Sequence, residues 1–150
     1  MMKRVNRAAM VAAAGLLASA PLAAQDDADR YGYVGTSLFG DQEVDTEGAG
    51  EDASADFVAE FDYKAGRICY MLELTDLKNF TAAHIHKGKV GENGPPVITL
   101  KLSEDGEDVC EAADAAVMKD IAENEADYYV NVHTKKFPQG AVRGQLGKED

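Results

Sequence analysis

Three histidines are the residues of this chain best suited to chemistry, and the chain has no others. His84 and His86 are separated by one residue in a β-like run, TAAHIHKG at 81–88. Because the side chains of a strand alternate between its two faces, these two imidazoles should point to the same side. His133 lies in a second β-like run, YYVNVHT at 128–134. If the two strands meet, they form a three-imidazole site.

Three imidazole ligands with one open coordination position are typical of copper and zinc sites. The Irving–Williams order favours copper over zinc in an unselective competition. Arg143, if it projects near the rings, would supply a fixed positive charge for an anion at the open position. A ligating histidine also needs its second ring nitrogen held by another group, and Asn131 and Thr134 are candidates for this.

The same residues also have an ordinary structural explanation. Histidines in strands often hydrogen-bond backbone carbonyls, and Arg143 could simply pair with one of the many carboxylates. No acid, base and nucleophile are grouped in the way that covalent catalysis requires. The sequence therefore leaves metal binding and plain structural bonding open, and it favours a protein that is not an enzyme.

The pattern around these residues predicts a fold of short β-strands. Small and aromatic residues alternate with mostly acidic ones at 55–62, and a turn at 64–66 leads to a partner strand at 67–74. The only helical pattern is at 111–124, where Glu111 and Asp114 suit the positive end of the helix dipole. Further strands are predicted at 33–39, 81–86, 97–102, 127–134 and 141–146. This order indicates an all-β fold, an antiparallel sandwich or barrel with one short inserted helix.

The N-terminus has the pattern of a signal peptide over residues 1–24. A basic start with Lys3, Arg4 and Arg7 precedes an apolar stretch at 8–20 that is too short to span a bilayer with comfort. Cleavage is predicted between Ala24 and Gln25, and residues 25–32 are predicted to be a disordered lead. We expect a periplasmic or secreted protein without a membrane span.

The charge balance excludes two classes of partner. The net charge is −12, and removal of residues 1–24 takes away three basic groups and no acidic one, which lowers it to −15. Nucleic acids and anionic membranes need clustered lysine and arginine, so neither is expected as a partner. The expected partner is an unknown extracytoplasmic protein or a small ligand, and the charge itself favours solubility.

Cys69 and Cys110 are the only cysteines. An even pair in an oxidising compartment favours a disulfide, and a thiolate metal site is the weaker alternative because neither cysteine has a cysteine or histidine close in sequence. A disulfide closing a loop of this length should stabilise the fold by about 3–4 kcal/mol in the chain-entropy model.

Four spaced motifs together resemble the CHRD domain, the module named from chordin that also occurs in exported bacterial proteins. They are AAHIHKG at 82–88, GENGPPV at 91–97, YYVNVHT at 128–134 and FPQGAVRGQL at 137–146. Glu43-Val44 and the two cysteines also fit, and the resemblance covers residues 33–147 as one domain. Asp45 departs from the proline that the family usually has after Glu-Val. The chordin connection implies extracellular interaction.

A more distant likeness is to the copper,zinc superoxide dismutases, through His84-Ile85-His86, Val132-His133 and Gly140-Ala141-Val142-Arg143. It implies an immunoglobulin-like Greek-key sandwich in which the three histidines converge. A fourth, bridging histidine and a zinc-binding loop are missing, and the cysteines sit elsewhere.

These observations predict an exported, non-enzymatic binding or structural module that can hold copper or zinc at His84, His86 and His133. The alternatives are a copper-dependent redox protein with dismutase-like activity and a periplasmic metal buffer.

Overall fold

The computed structural model describes residues 29–103 and 106–148. The predicted signal peptide, its cleavage site and residues 25–28 of the predicted lead lie outside these ranges. The described chain contains one α-helix, α1 (Ala115–Glu123), and nine strands. The strands are β1 (Tyr31–Phe39), β2 (Ser54–Asp62), β3 (Arg67–Thr75), β4 (Phe80–Lys87), β5 (Pro96–Leu100), β6 (Val109–Ala112), β7 (Tyr128–Thr134), β8 (Val142–Gln145) and β9 (Gly147–Lys148).

The strands form one curled antiparallel sheet in the order β5-β4-β7-β8-β1-β2-β3-β6, and β9 pairs with β1. Strands β3, β4 and β1 each pair with a strand distant in sequence, β6, β7 and β8 respectively. Such crossovers between the two halves of a sheet are typical of Greek-key sandwiches. The prediction of an all-β, immunoglobulin-like sandwich with one short inserted helix is confirmed as a curled, sandwich-like antiparallel sheet.

The core lies inside the curl, and the alternation of the strands explains which residues enter it. In the β2–β3 hairpin, Phe57 faces Leu72 and Phe61 faces Ile68, and all four side chains are buried. Burial of a large apolar side chain contributes about 1.5–3 kcal/mol. The predicted turn at 64–66 joins these strands, and Gly66 adopts a φ of 62° that favours glycine.

The predicted start of the first strand is wrong, and so is that of the helix. Strand β1 begins at Tyr31, so residues 31–32 belong to the sheet and not to a disordered lead. Tyr31 pairs with Asp62, and the Arg30 guanidinium donates to the Asp62 carboxylate at 2.9 Å, so the end of β2 holds this segment.

The helix begins at Ala115 and not at Glu111. Glu111 lies in β6, where it pairs with Ile68 of β3. Asp114 is the N-cap, and its side chain accepts hydrogen bonds from the backbone N–H groups of Ala116 and Val117. A capping aspartate marks the residue before the first helical turn, so the residues preceding it are free to pair as a strand.

Cys69 and Cys110 form a disulfide between directly paired residues of β3 and β6, with an S–S distance of 2.08 Å. The predicted pairing is therefore confirmed, and it ties the edge strand β6 to the sheet. Within residues 29–103 and 106–148, no helix is long and apolar enough to span a membrane.

Candidate metal centre

The pairing of β4 with β7 places the three histidines on one face of the sheet. His84 lies opposite Asn131, His86 opposite Tyr129, and His133 opposite Ala82. Directly paired residues of neighbouring strands point to the same side. The intervening residues on the other face are fully buried and form part of the core: Ala83, Ile85, Val130 and Val132. This apolar face fixes the register, because a shift by one residue would expose it.

The three rings converge. One potential ligand atom from each of His84, His86 and His133 lies within 4.8 Å of the other two. The ring centroids of His84 lie 5.4 Å from those of both His86 and His133, and the His86 and His133 centroids are 6.4 Å apart. All three side chains are half-buried, so part of each ring remains in contact with solvent.

Two backbone carbonyls determine which ring nitrogens face the cluster. His86 Nδ1 lies 2.8 Å from the Gly94 carbonyl oxygen, and His133 Nδ1 lies 3.1 Å from that of Pro138. A carbonyl can only accept, so each Nδ1 carries the proton and each Nε2 keeps a free lone pair. Those two Nε2 atoms and His84 Nδ1 are buried, and none has a hydrogen-bond partner among the described residues.

The surroundings favour the uncharged form of the rings. Burial lowers the pKa of His84, His86 and His133 below the ordinary value. The neighbouring histidines lower the pKa of His86 and His133 further, and the Gly94 and Pro138 carbonyls oppose these effects. Neutral imidazole is the form that binds a metal, so the cluster is in its binding form at neutral pH.

Arg143 shares this face through its pairing with Asn131, yet its guanidinium is not exposed at the cluster. The residue is 2 % exposed and lies 3.5 Å above the Tyr129 ring. It donates to the carbonyl oxygens of Lys89 and Glu92 and to Asn93 Oδ1.

The two predicted partners of the imidazole nitrogens have other hydrogen bonds. Asn131 Nδ2 donates to both carboxylate oxygens of Glu43, at 2.8 and 2.9 Å. Thr134 Oγ1 accepts from the Phe137 N–H and closes the turn after β7. The His86 and His133 rings instead donate hydrogen bonds to the carbonyl oxygens of Gly94 and Pro138.

Glu43 was not predicted as part of this region. Burial raises its pKa to about 7, against the lowering effects of the Asn131 hydrogen bond and the Arg143 charge. Its carboxylate packs against Gly140, where φ is 147° and a Cβ atom would lie 2.3 Å from Glu43 Oε2. The signal in the sequence was the Glu43-Val44 pair within the family pattern, which gave no hint of the contact with Asn131.

The donor set fits copper or zinc. Three converging imidazoles in a neutral protonation state meet the requirements of a three-histidine site. The structure thus brings together all three predicted ligand residues, and it leaves one Nδ1 and two Nε2 atoms without hydrogen-bond partners among the described residues.

Comparison with known proteins agrees with the fold and the motifs. A family model of the CHRD domain matches residues 34–146. No curated protein and no solved structure gives a significant match. The matched range runs from within β1 to the end of β8 and includes all three histidines and both cysteines, and the chain therefore belongs to the CHRD domain family.

Proposed function

We propose that this protein is an exported, non-enzymatic CHRD module that binds one copper or zinc ion through His84, His86 and His133. The observation that carries the proposal is the convergence of three histidines, each with a buried ring nitrogen that has no hydrogen-bond partner among the described residues. Export is supported by the predicted signal peptide and by the disulfide, since disulfides persist in oxidising compartments.

A purely structural role explains the cluster less well. Structural histidines usually bond through both ring nitrogens or expose one to water, because an unsatisfied buried polar atom costs about 1–3 kcal/mol. Here each of the three rings has one such nitrogen without a partner among the described residues, and the three rings converge. A shared metal ion would satisfy all three nitrogens at once.

The donor chemistry favours copper over zinc. All three donors are imidazole nitrogens, and affinity for such donors rises towards copper in the divalent series. When bound, either metal would act as a Lewis acid, and copper could also cycle between two oxidation states. The chain's own residues hold the ligands in place and keep them unprotonated.

Titration calorimetry with Cu(II) and Zn(II) tests the proposal on the purified protein. We expect one site per chain, and a loss of affinity of at least about 100-fold in His84→Ala, His86→Ala and His133→Ala, because each substitution removes one of three ligands. Glu47→Gln is the matched control, since this exposed carboxylate represents the acidic surface that could bind metal weakly. Weak binding that survives every histidine substitution would contradict the proposal.

A copper-dependent redox protein is the second candidate. It is favoured by the half-burial of the rings, which leaves part of each ring in contact with solvent. Copper-loaded protein that consumes superoxide faster than the His133→Ala variant, with equal total copper, would support this candidate. Binding without such turnover supports a binding or buffering module.

A further inference from the structure

We infer that Arg143 is a positioning residue of the proposed metal centre, holding the 88–95 loop so that the Gly94 carbonyl fixes the orientation and tautomer of His86. The inference rests on the proposed function and adds a named residue and a mechanism to it. The 88–95 loop comprises the residues between β4 and β5.

The first step is the set of hydrogen bonds from Arg143 to the loop. Its Nη2 atom donates to the Lys89 and Glu92 carbonyl oxygens at 3.0 and 2.9 Å, and Nη1 donates to Asn93 Oδ1 at 3.3 Å. The planar guanidinium suits this task, because it presents several donors in one rigid geometry. With 2 % of the residue exposed, these bonds form away from competing water.

The second step leads from the loop to His86. Gly94 follows Asn93 directly, and its carbonyl oxygen accepts the hydrogen bond from His86 Nδ1 at 2.8 Å. A Cβ atom on Gly94 would lie 1.7 Å from the Lys87 carbonyl oxygen, so the loop packs against its own start. The position of the Gly94 carbonyl therefore depends on the conformation that Arg143 holds.

The third step is a stack of three side chains. The Tyr129 ring lies between the Arg143 guanidinium, 3.5 Å from its centroid, and the His86 ring, whose centroid is 4.8 Å away at an interplanar angle of 11°. The Tyr129 hydroxyl also accepts from the Gly94 N–H at 3.1 Å. Tyr129 thus supports both the His86 ring and the residue that bonds to it.

These contacts argue against the role first considered for Arg143. A guanidinium that guides a dissolved anion must be reachable from solvent, whereas this one is buried and bonded to the loop. A general packing role would support all three histidines alike. The geometry is instead selective for His86, because the His133 ring is held by Pro138 on a different connection.

The test measures the tautomers of the metal-free protein by 15N NMR of the imidazole nitrogens at pH 8. In wild type, His86 and His133 should both carry the proton on Nδ1. In Arg143→Met, His86 should become a mixture of tautomers while His133 stays unchanged. Copper and zinc affinity should fall about 10- to 100-fold, the usual effect of removing a group that supports a ligand.

Arg67→Met, an exposed arginine on β3, is the matched control and should change neither quantity. Arg143→Lys keeps the positive charge but loses the planar set of donors, so it should shift His86 in the same direction by less, and it decides the matter if Arg143→Met does not fold. Unchanged His86 in the folded variants, or equal shifts in His86 and His133, would overturn the inference. The tautomers are measured without metal, so this inference and the proposed function can fail separately. If wild type binds no metal but Arg143→Met still changes the His86 tautomer, only the proposed function fails.

Discussion

At the scale of single residues, the candidate site depends on which nitrogen of each ring is free. His86 and His133 donate hydrogen bonds from Nδ1 to backbone carbonyls, whereas the Nδ1 of His84 is buried and has no partner among the described residues. The two carbonyls leave the Nε2 lone pairs of His86 and His133 free for a metal.

Glu43 provides a prediction at the same scale, with a definite pH dependence. Its pKa rises from 4.5 to about 7 in the fold, so the folded state favours the protonated carboxyl. This contribution to stability is fully present below about pH 4.5 and is lost as the pH rises towards 7. Relative to wild type, Glu43→Gln should therefore be more stable by about 1–2 kcal/mol at pH 8, after allowance for partial exposure, and equally stable near pH 4.5.

Urea unfolding of metal-free protein at both pH values measures this difference. Glu47→Gln removes an exposed carboxylate nearby in sequence and serves as the control, with no comparable pH-dependent gain expected. A Glu43→Gln variant that is less stable than wild type at pH 8 would show that the charged carboxylate is the form the fold prefers.

At the scale of elements, the connections decide where strands and helix begin. Asp114 ends the extended segment after β6 and caps α1 through the N–H groups of Ala116 and Val117. The helix buries Met118 and Ile121 against the sheet, which gives it one apolar face. The alternation of β6 was too short to detect in the sequence. The predicted helix at 111–124 therefore included the last two residues of this strand.

Asp114→Ala should lower the free energy of unfolding by about 1 kcal/mol, because two backbone donors lose their acceptor. Glu123→Ala removes a carboxylate from the other end of α1, where a negative charge opposes the helix dipole, and should cause no loss. Urea denaturation of both variants measures the effect. Equal losses in the two variants would mean that removal of charge, and not the cap, is responsible.

At the scale of the whole molecule, the disulfide and the candidate metal centre lie at different places in one sheet. Cys69 and Cys110 join β3 to the edge strand β6, whereas the histidines lie on β4 and β7, towards the opposite end of the strand order. The two features should therefore contribute separately, one to global stability and the other to binding.

The double variant Cys69→Ser, Cys110→Ser should lose about 3–4 kcal/mol of unfolding free energy. The two cysteines are 41 residues apart in sequence, and without the disulfide the unfolded chain regains the entropy that closing this loop removes. Its affinity for copper or zinc should equal that of wild type under conditions where both are folded. Denaturation and metal titration measure the two quantities, and wild type treated with a reductant is the control. A parallel fall in affinity would show that the edge strand supports the metal centre after all.

The sequence by itself determined seven of the nine described strands, the pairing of the cysteines and the face shared by His84 and His86. The strands and the shared face follow from a local rule, since a period of two places alternate residues on one side whatever the rest of the chain does. The pairing of the cysteines follows from the presence of only two in the chain. His133 was the candidate third member because it is the only other histidine and lies in a second β-like run, and the pairing of β4 with β7 places it on the same face.

Only the tertiary structure decided how the rings are oriented and what surrounds them. Gly94, Pro138 and Glu43 come from connections between strands, and the Glu43–Asn131 contact spans 88 residues. Arg143 was considered as a fixed charge for an anion or as the partner of a carboxylate, whereas in the structure its guanidinium donates hydrogen bonds to the 88–95 loop. The physical reason is that the direction of a side chain from a strand is local, whereas the partner of its hydrogen bond depends on which distant backbone the fold brings beside it.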